Sequence, residues 1–298
     1  MISVAATSDG AIVFVRRSDE PKRLESALDR AFPTDWKVEV VESAEPRADS
    51  SIWGGDGMEW LEGAYCSGAF SGYRWSASAG SYSWYEVTAG HCHSECGTNI
   101  GTQHHPATHG SGTSIHDNFA WSSLPVKGAH PGSSSPSDQS VVLLGTSGSA
   151  SSPVSHVSRY VRSPTGAFGV RPIYSIGDAS TFLGTTGVTF ESYGHTTGDD
   201  TSVYIGISPE ETMVCPGVGS YGIQWAVLTN TGDPNCGSGG NSGGPLSGIY
   251  YPGTAGAYVS VLGTLGGHHN TAFGQVCVWS QPAAALSAWG VTPYTPYP

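Results

Sequence analysis

Two short motifs in the sequence carry residue types that can perform nucleophilic chemistry. The stretch TAGHC at 88–92 presents His91, and the stretch GNSGGP at 240–245 presents Ser242 between glycines. A serine hydroxyl is a poor nucleophile until a neighbouring imidazole removes its proton during attack. Either motif alone is weak, since a lone histidine or a glycine-flanked serine is commonly structural. Together, with the histidine first, they predict that His91 activates Ser242 for acyl transfer.

The glycines around Ser242 suit a second requirement of this chemistry. Residues without side chains allow backbone N–H groups to converge on the oxyanion that develops during attack. The amides of Gly240 and Ser242 are the predicted donors. Each donor of this kind lowers the barrier by roughly 3–4 kcal/mol.

A carboxylate is also needed, to hold the histidine in one tautomer and to stabilise the imidazolium. Asp117 precedes an apolar run and follows His91 closely in the sequence, and Asp138 precedes the apolar run 141–144. We expect Asp117 to be the acid because it lies soon after His91, with Asp138 as the alternative. Either residue could instead form a turn.

The elements that must position these residues are predicted to be β-strands. From Ile52 onward, runs rich in Val, Thr, Tyr and Trp are separated by Gly, Ser and Pro turns about every ten residues. This pattern predicts a β-sandwich or β-barrel, with one helix over 282–289. Charged residues make up 12% of the chain and glycines number 42, which is typical of a turn-rich β protein and not of a helical bundle or a disordered chain.

Residues 1–42 have a different pattern. Two alternating runs flank Asp9-Gly10, which predicts a hairpin. A helix over 19–32 and a strand over 36–40 follow, and the polar stretch 43–51 is predicted to be a linker at a domain boundary. So short a segment cannot bury much core alone, and we expect it to pack against something larger.

The chain from about residue 52 to 294 resembles the bacterial branch of the chymotrypsin superfamily, close to the streptogrisins and alpha-lytic protease. The resemblance rests on both motifs above, on IWGGD at 52–56, on CSGAF at 66–70 and on the C-terminal stretch 281–291. It implies a mostly β fold of two six-stranded antiparallel β-barrels with the active site between them. It also implies a secreted, monomeric serine endopeptidase that acts on peptides and proteins through an acyl-enzyme and needs no cofactor or metal.

The six cysteines all follow residue 65, which indicates an oxidising compartment. The resemblance implies the disulfides Cys66–Cys92 and Cys236–Cys277. Cys96 and Cys215 remain, and they either form a third bridge or are free structural thiols.

The resemblance also gives residues 1–42 a role as the end of a pro-region, which in relatives assists folding and inhibits the mature enzyme. Cleavage is then expected near Ser51–Ile52, with residues 52–298 as the protease domain. The first residues lack the basic and apolar regions of a signal peptide, so we expect the natural start of the precursor to lie upstream.

Two positions depart from the family pattern. Asn241 stands where relatives often have aspartate, and Leu265 stands where a serine would bond to the acid of the triad. We expect catalysis to survive the change at Asn241. The change at Leu265 removes one polar partner of the acid, which another group or a water would have to replace. The residues expected to line the substrate cleft are Leu265, Gly266 and Gly267. The two glycines favour an apolar residue before the scissile bond, whereas His268 and His269 would favour acidic substrates if one of them faced the pocket.

Charge and spacing exclude several other functions. A net charge of −12 disfavours nucleic acid as a partner, and no apolar run is long enough to span a membrane. Histidines cluster between residues 91 and 116 without the spacing of a metal motif, so we expect no metal site there. The alternatives that remain are a catalytically inactive homologue that binds peptides or protein partners in the same cleft, and an esterase with the same triad.

Overall fold

The computed structural model describes three N-terminal strands and most of the chain beyond residue 52. The residues that it describes are 3–7, 10–16, 37–43, 53–60, 65–92, 94–95, 98–99, 103–107, 119–120, 138–154, 157–163, 170–177, 189–215, 219–231, 234–250, 258–272 and 274–295.

The N-terminal strands form one three-stranded sheet. β1 (Ser3–Thr7) pairs antiparallel with β2 (Gly10–Arg16), and β3 (Lys37–Ser43) pairs parallel with β2. Both strands of the predicted hairpin are thus confirmed, and the strand predicted over 36–40 falls on β3. A parallel pair needs a long crossover, and the crossover spans the stretch predicted as helical. That helix over 19–32 and the linker beyond Ser43 lie outside the described residues.

The strands that precede the middle of the chain are short. They are β4 (Gly57–Trp60), β5 (Tyr65–Ser67), β6 (Phe70–Ser76), β7 (Ser81–Thr88), β8 (Ser94–Glu95), β9 (Thr98–Asn99), β10 (Gln103–Ala107), β11 (Phe119–Ala120) and β12 (Ser140–Ser147).

The later strands include three long ones. They are β13 (Tyr160–Arg162), β14 (Val170–Ile176), β15 (Thr189–Gly194), β16 (Gly198–Cys215), β17 (Gly219–Thr231), β18 (Pro245–Tyr250), β19 (Tyr258–Thr271), β20 (Gly274–Ser280) and β21 (Thr292–Pro293). A 3-10 helix spans Pro234–Gly237, and helix α1 spans Pro282–Trp289 as predicted.

Six of the later strands close into a ring. β15, β16, β17, β20, β19 and β18 are each hydrogen-bonded antiparallel to the next, and β18 pairs back with β15. β14 joins the outside of this ring as a parallel neighbour of β19, and β13 pairs with β14. These strands form a ring-like sheet, which is consistent with the second of the two expected barrels.

The described earlier strands lie in three separate sheets. Two are antiparallel four-stranded sheets, with the orders β11-β10-β4-β5 and β12-β7-β6-β21, the second of which includes the C-terminal β21; β8 pairs with β9 alone. β5 and β6 belong to different sheets because the chain breaks its extended course at Gly68-Ala69. The mostly β fold is thus confirmed, and the first of the two expected barrels stays a prediction.

Two buried apolar clusters hold these sheets together. One lies inside the ring and includes Phe190, Leu246 and Trp279. The other joins β6, β7 and β12 to β19 and to α1, which contributes Leu286 and Trp289. No helix among the described residues has the length and apolar character needed to cross a membrane.

Candidate active site

His91 follows β7, and the end of β7 is anchored on the end of β5. The last five residues of β7 are buried. Thr88 Oγ1 donates a hydrogen bond of 2.8 Å to the carbonyl of Ser67, and Cys92 forms a disulfide with Cys66. The side chain of His91 is 22% exposed. The imidazole is therefore accessible while the backbone on either side of it is held in place.

The carboxylate beside His91 belongs to Asp138. Its Oδ2 lies 2.7 Å from His91 Nδ1, and its Oδ1 accepts a hydrogen bond of 2.8 Å from the backbone amide of His91. The side chain of Asp138 is fully buried, and its backbone N–H donates to Ser280 Oγ at 2.8 Å. Because the carboxylate accepts, Nδ1 carries a proton and Nε2 is the nitrogen that can take one up.

Asp138, the alternative acid in the sequence, is therefore the carboxylate that the described residues place on His91. Closeness in sequence was the reason for choosing Asp117, which lies outside the described residues. The decisive factor is the register of β12 on β7, where Ser140 pairs with Thr88. This antiparallel pairing places the residues just before β12 alongside those just after β7, so that Asp138 returns to His91.

Ser242 lies in a turn between the 3-10 helix and β18, here called the serine turn (residues 238–244). Gly240 and Gly243 have φ values of +95° and +86°, a region that favours glycine. A Cβ on Gly243 would collide with Thr88 Oγ1 and with the carbonyl oxygen of Ser67. The serine turn thus packs directly on the segment that leads to the histidine.

β19 borders the serine turn on another side. The N–H of Gly243 donates to the Leu265 carbonyl at 2.8 Å, and the N–H of Leu265 donates to the Gly244 carbonyl at 2.9 Å. A Cβ on Gly266 would lie 3.1 Å from Asp138 Oδ2. Contacts therefore run in a closed path from the serine turn through β19 to the buried acid, then to the histidine and back.

The amides of residues 240–244, within the serine turn, divide into two groups. Those of Asn241, Gly243 and Gly244 donate to backbone carbonyls. For the amides of Gly240 and Ser242, the described residues supply no acceptor. These two are the predicted oxyanion donors, and their N–H groups are available for a ligand.

Asn241 fastens the serine turn to the turn between β15 and β16. Its Oδ1 accepts hydrogen bonds from the backbone amides of Thr196 at 3.0 Å and Thr197 at 3.3 Å. Its Nδ2 donates to Thr197 Oγ1 at 2.7 Å. The asparagine is 4% exposed. A neutral amide with hydroxyl and amide partners thus occupies the position before Ser242.

The three residues expected to line the cleft behave differently. The side chain of Leu265 is 3% exposed and packs in the core of the ring, so only its backbone adjoins the site. A Cβ on Gly266 would meet Ile223 Cδ1, and a Cβ on Gly267 would meet Met213 Cε. Apolar side chains of β16 and β17 therefore lie against both glycines.

Of the two histidines after the glycines, His269 contacts the β16–β17 hairpin and His268 lies beside the 3-10 helix. His269 Nε2 lies 2.7 Å from Glu211 Oε2. Burial lowers the pKa of His268, and the neighbouring His269 lowers it further. His268 is half-buried beside Gly237 in the 3-10 helix. It is therefore favoured as a neutral imidazole.

Two disulfides confirm the pairings that the resemblance implied. Cys66 is bonded to Cys92 and Cys236 to Cys277. The first ties β5 to the residue after His91, and the second ties the 3-10 helix to β20. Cys96 lies outside the described residues, so its pairing with Cys215 stays a prediction.

Several contacts at the site involve residues that the sequence analysis did not single out. They are Ser67, Thr196, Thr197 and Ser280. Ser67 stands in the CSGAF stretch, which was cited only for the resemblance. Serine and threonine are common in this chain, and nothing in the local sequence distinguishes the other three. Among the residues that the structure describes, no group of three or more His, Cys, Asp or Glu could hold a metal ion.

Among comparisons with known proteins, those with solved structures gave matches. No family model matches the sequence, and no curated protein matches it. The structural similarity is to bacterial proteases of the chymotrypsin fold. Thermobifida fusca protease A is 21% identical, with a TM-score of 0.48, over 82% of this chain and 99% of its own.

Two further structures give similar values. Cellulomonas bogoriensis chymotrypsin is 19% identical with a TM-score of 0.49, over 82% of this chain and 99% of its own. A glutamic acid-specific serine protease, described as using a histidine triad in substrate binding, is 23% identical with a TM-score of 0.48, over 82% of this chain and all of its own.

Proposed function

We propose that this protein is a serine endopeptidase in which Ser242 is the nucleophile, His91 the general base and Asp138 the acid that orients it. The observation that carries the proposal is the contact of 2.7 Å between His91 Nδ1 and the fully buried Oδ2 of Asp138. A buried carboxylate on Nδ1 is what a histidine needs in order to act through Nε2. The packing of the serine turn on Thr88 and Ser67, just before His91, supports the same assignment.

The reaction proceeds in two halves. Ser242 Oγ attacks the carbonyl carbon of the substrate as His91 Nε2 takes the hydroxyl proton, and the amides of Gly240 and Ser242 bind the oxyanion. His91 then gives the proton to the leaving amine as the C–N bond breaks, which leaves an ester on Ser242. Water, deprotonated by His91, attacks that ester. The tetrahedral intermediate then collapses, which releases the carboxylic acid product and returns the proton from His91 to Ser242 Oγ.

The substrate preference that we propose is an apolar residue before the scissile bond. Its support is the apolar wall that Met213 and Ile223 form beside Gly267 and Gly266. Met213 and Ile223 belong to one buried cluster with Ala226 and Val278, so this wall is rigidly packed. No charged group is needed for such a preference, which depends on burial of apolar surface.

The organisation that we propose is that of a secreted precursor. Two disulfides in the domain beyond residue 52 support an extracellular location. Residues 1–42 are proposed as part of a pro-region that binds the mature enzyme, with cleavage in the linker 43–51. The mature chain, from 52 to 298, is proposed to act as a monomer on peptides and proteins.

Active-site labelling tests the proposal. A chain that begins at Ile52 and its Ser242→Ala variant are treated with a fluorophosphonate, and intact masses and the modified peptide are recorded. We expect one adduct on Ser242 and none in the variant. A folded chain without an adduct would exclude the protease and favour the inactive, peptide-binding homologue. Labelling together with turnover of esters but not of peptides would favour an esterase.

A further inference from the structure

Ser67, the last residue of β5, contacts the serine turn at two points. Its Oγ donates a hydrogen bond of 2.8 Å to the carbonyl of Gly240, and its N–H donates one of 2.7 Å to the carbonyl of Ser242. The side chain of Ser67 is fully buried. The two carbonyls that it binds belong to the two residues whose amides are the proposed oxyanion donors.

The orientation of the Ser67 hydroxyl is determined by its other partner. The backbone N–H of His195 donates to Ser67 Oγ at 2.9 Å, so the oxygen is an acceptor on that side and its hydrogen points to Gly240. His195 directly precedes the threonines that hold Asn241. The hydroxyl therefore links the serine turn to the turn between β15 and β16 in the same way that Asn241 does from the other side.

Gly240 is the residue of the serine turn that most needs such a restraint. It has a φ of +95° and no side chain to limit rotation of its peptide groups. An oxyanion donor is effective only when its N–H is already aimed at the place where charge develops. A hydrogen bond to the Gly240 carbonyl opposes rotation of the chain between the two donors.

We propose that Ser67 is a positioning residue for the oxyanion site, one that acts on the transition state through Gly240 and Ser242 without touching the substrate. This inference rests on the proposed function. On this proposal Ser67 differs from residues that only stabilise the fold, because removal of its hydroxyl removes a restraint on the two donor amides.

The test compares Ser67→Ala with Ser71→Ala, each produced as the full chain and assayed after cleavage in the linker 43–51. Ser71 is an equally buried serine of β6 with two hydrogen bonds, from its Oγ to Glu86 Oε2 at 2.7 Å and from the Ser158 N–H at 3.1 Å. Each substitution removes the two hydrogen bonds of a hydroxyl, but only the hydroxyl of Ser67 contacts the serine turn. Rates are referred to fluorophosphonate-titrated sites, so that partial unfolding does not resemble a slower reaction.

For Ser67→Ala we expect kcat to fall about tenfold with KM changed less than about twofold, since a misaimed donor costs less than a deleted one. Binding of a peptide trifluoromethyl ketone, whose adduct carries an oxyanion, should weaken by the same factor. Ser71→Ala should keep both values within about twofold. Ser67→Thr retains the hydroxyl and should keep a kcat near that of the parent even where it unfolds at a lower temperature.

Three results would overturn the inference. They are an unchanged kcat in Ser67→Ala, a loss of kcat without weaker ketone binding, and an equal loss in Ser67→Thr. Failure of the proposed function looks different, because the parent itself would then carry no adduct on Ser242.

Discussion

Asp138 holds His91 by the ring and by the backbone at once. One carboxylate oxygen binds Nδ1 and the other binds the amide of the same residue, so the ring cannot turn relative to its own peptide group without breaking a hydrogen bond. Burial of the carboxylate removes competing water, which strengthens both interactions. Leu265 offers no hydroxyl to the acid, and the amide of His91 is a second donor that the acid retains.

The Asp138→Asn variant tests this assignment. An asparagine keeps the shape but can present an N–H to Nδ1, which selects the wrong tautomer, so we predict that kcat falls about 10⁴-fold. Turnover of a chromogenic peptide amide measures the effect. Asp117→Asn is the matched control and should remain within about threefold of the parent. Loss of activity in the control with retention in Asp138→Asn would restore Asp117 as the acid.

At the scale of elements, β7 both delivers His91 and carries a buried carboxylic acid. Burial raises the pKa of Glu86 well above its usual value of 4.5; the hydrogen bond from Ser71 opposes this shift, and the charge of Asp56 adds to it. The folded protein therefore keeps a proton that the unfolded chain releases. Stability consequently decreases as the pH rises from about 4.5 towards the folded-state pKa.

The Glu86→Gln variant should lose this dependence, because glutamine cannot ionise. We predict that its thermal midpoint improves relative to the parent as the pH rises from about 4 to about 7. Circular dichroism melts of both proteins across that range measure the difference. A difference that stays constant with pH would mean that Glu86 binds its proton no more tightly in the folded state than in the unfolded chain.

The elements also explain how much of the site could be predicted. His91 and Ser242 stand in motifs whose neighbours are unusual, and α1 has clear boundary signals in Pro282 and Gly290. Asp138 needed the register of β12 on β7, which local sequence does not reveal. The hydrogen bond of Ser67 to Gly240 and the position of Ile223 beside Gly266 each join segments that are far apart in the chain. The split of the earlier strands into separate sheets depends on tertiary packing for the same reason.

At the scale of the whole molecule, two disulfides close loops on either side of the site. The cysteines of the first are 26 residues apart and those of the second 41. A crosslink restricts the unfolded chain, and more so for a longer loop. Both disulfides therefore stabilise the fold beyond their local contacts.

Paired alanine variants measure these contributions. We predict a loss of about 3.5 kcal/mol in the free energy of unfolding for Cys66→Ala with Cys92→Ala, and of about 4 kcal/mol for Cys236→Ala with Cys277→Ala. Urea titrations followed by tryptophan fluorescence provide the values. A loss below about 1 kcal/mol for either pair would show that the crosslinked state gains little from loop closure.

The ring of six strands has a consequence for the order in which the protein can be assembled during synthesis. β20 joins β17 to β19, and its last residue, Ser280, accepts the N–H of Asp138. Domains are made from the N-terminus onward. A nascent chain that stops short of residue 280 can neither close the ring nor supply that partner to the acid. Under the proposed function, nearly the whole polypeptide must therefore be synthesised before the protease can hydrolyse any peptide bond, including one in its own chain.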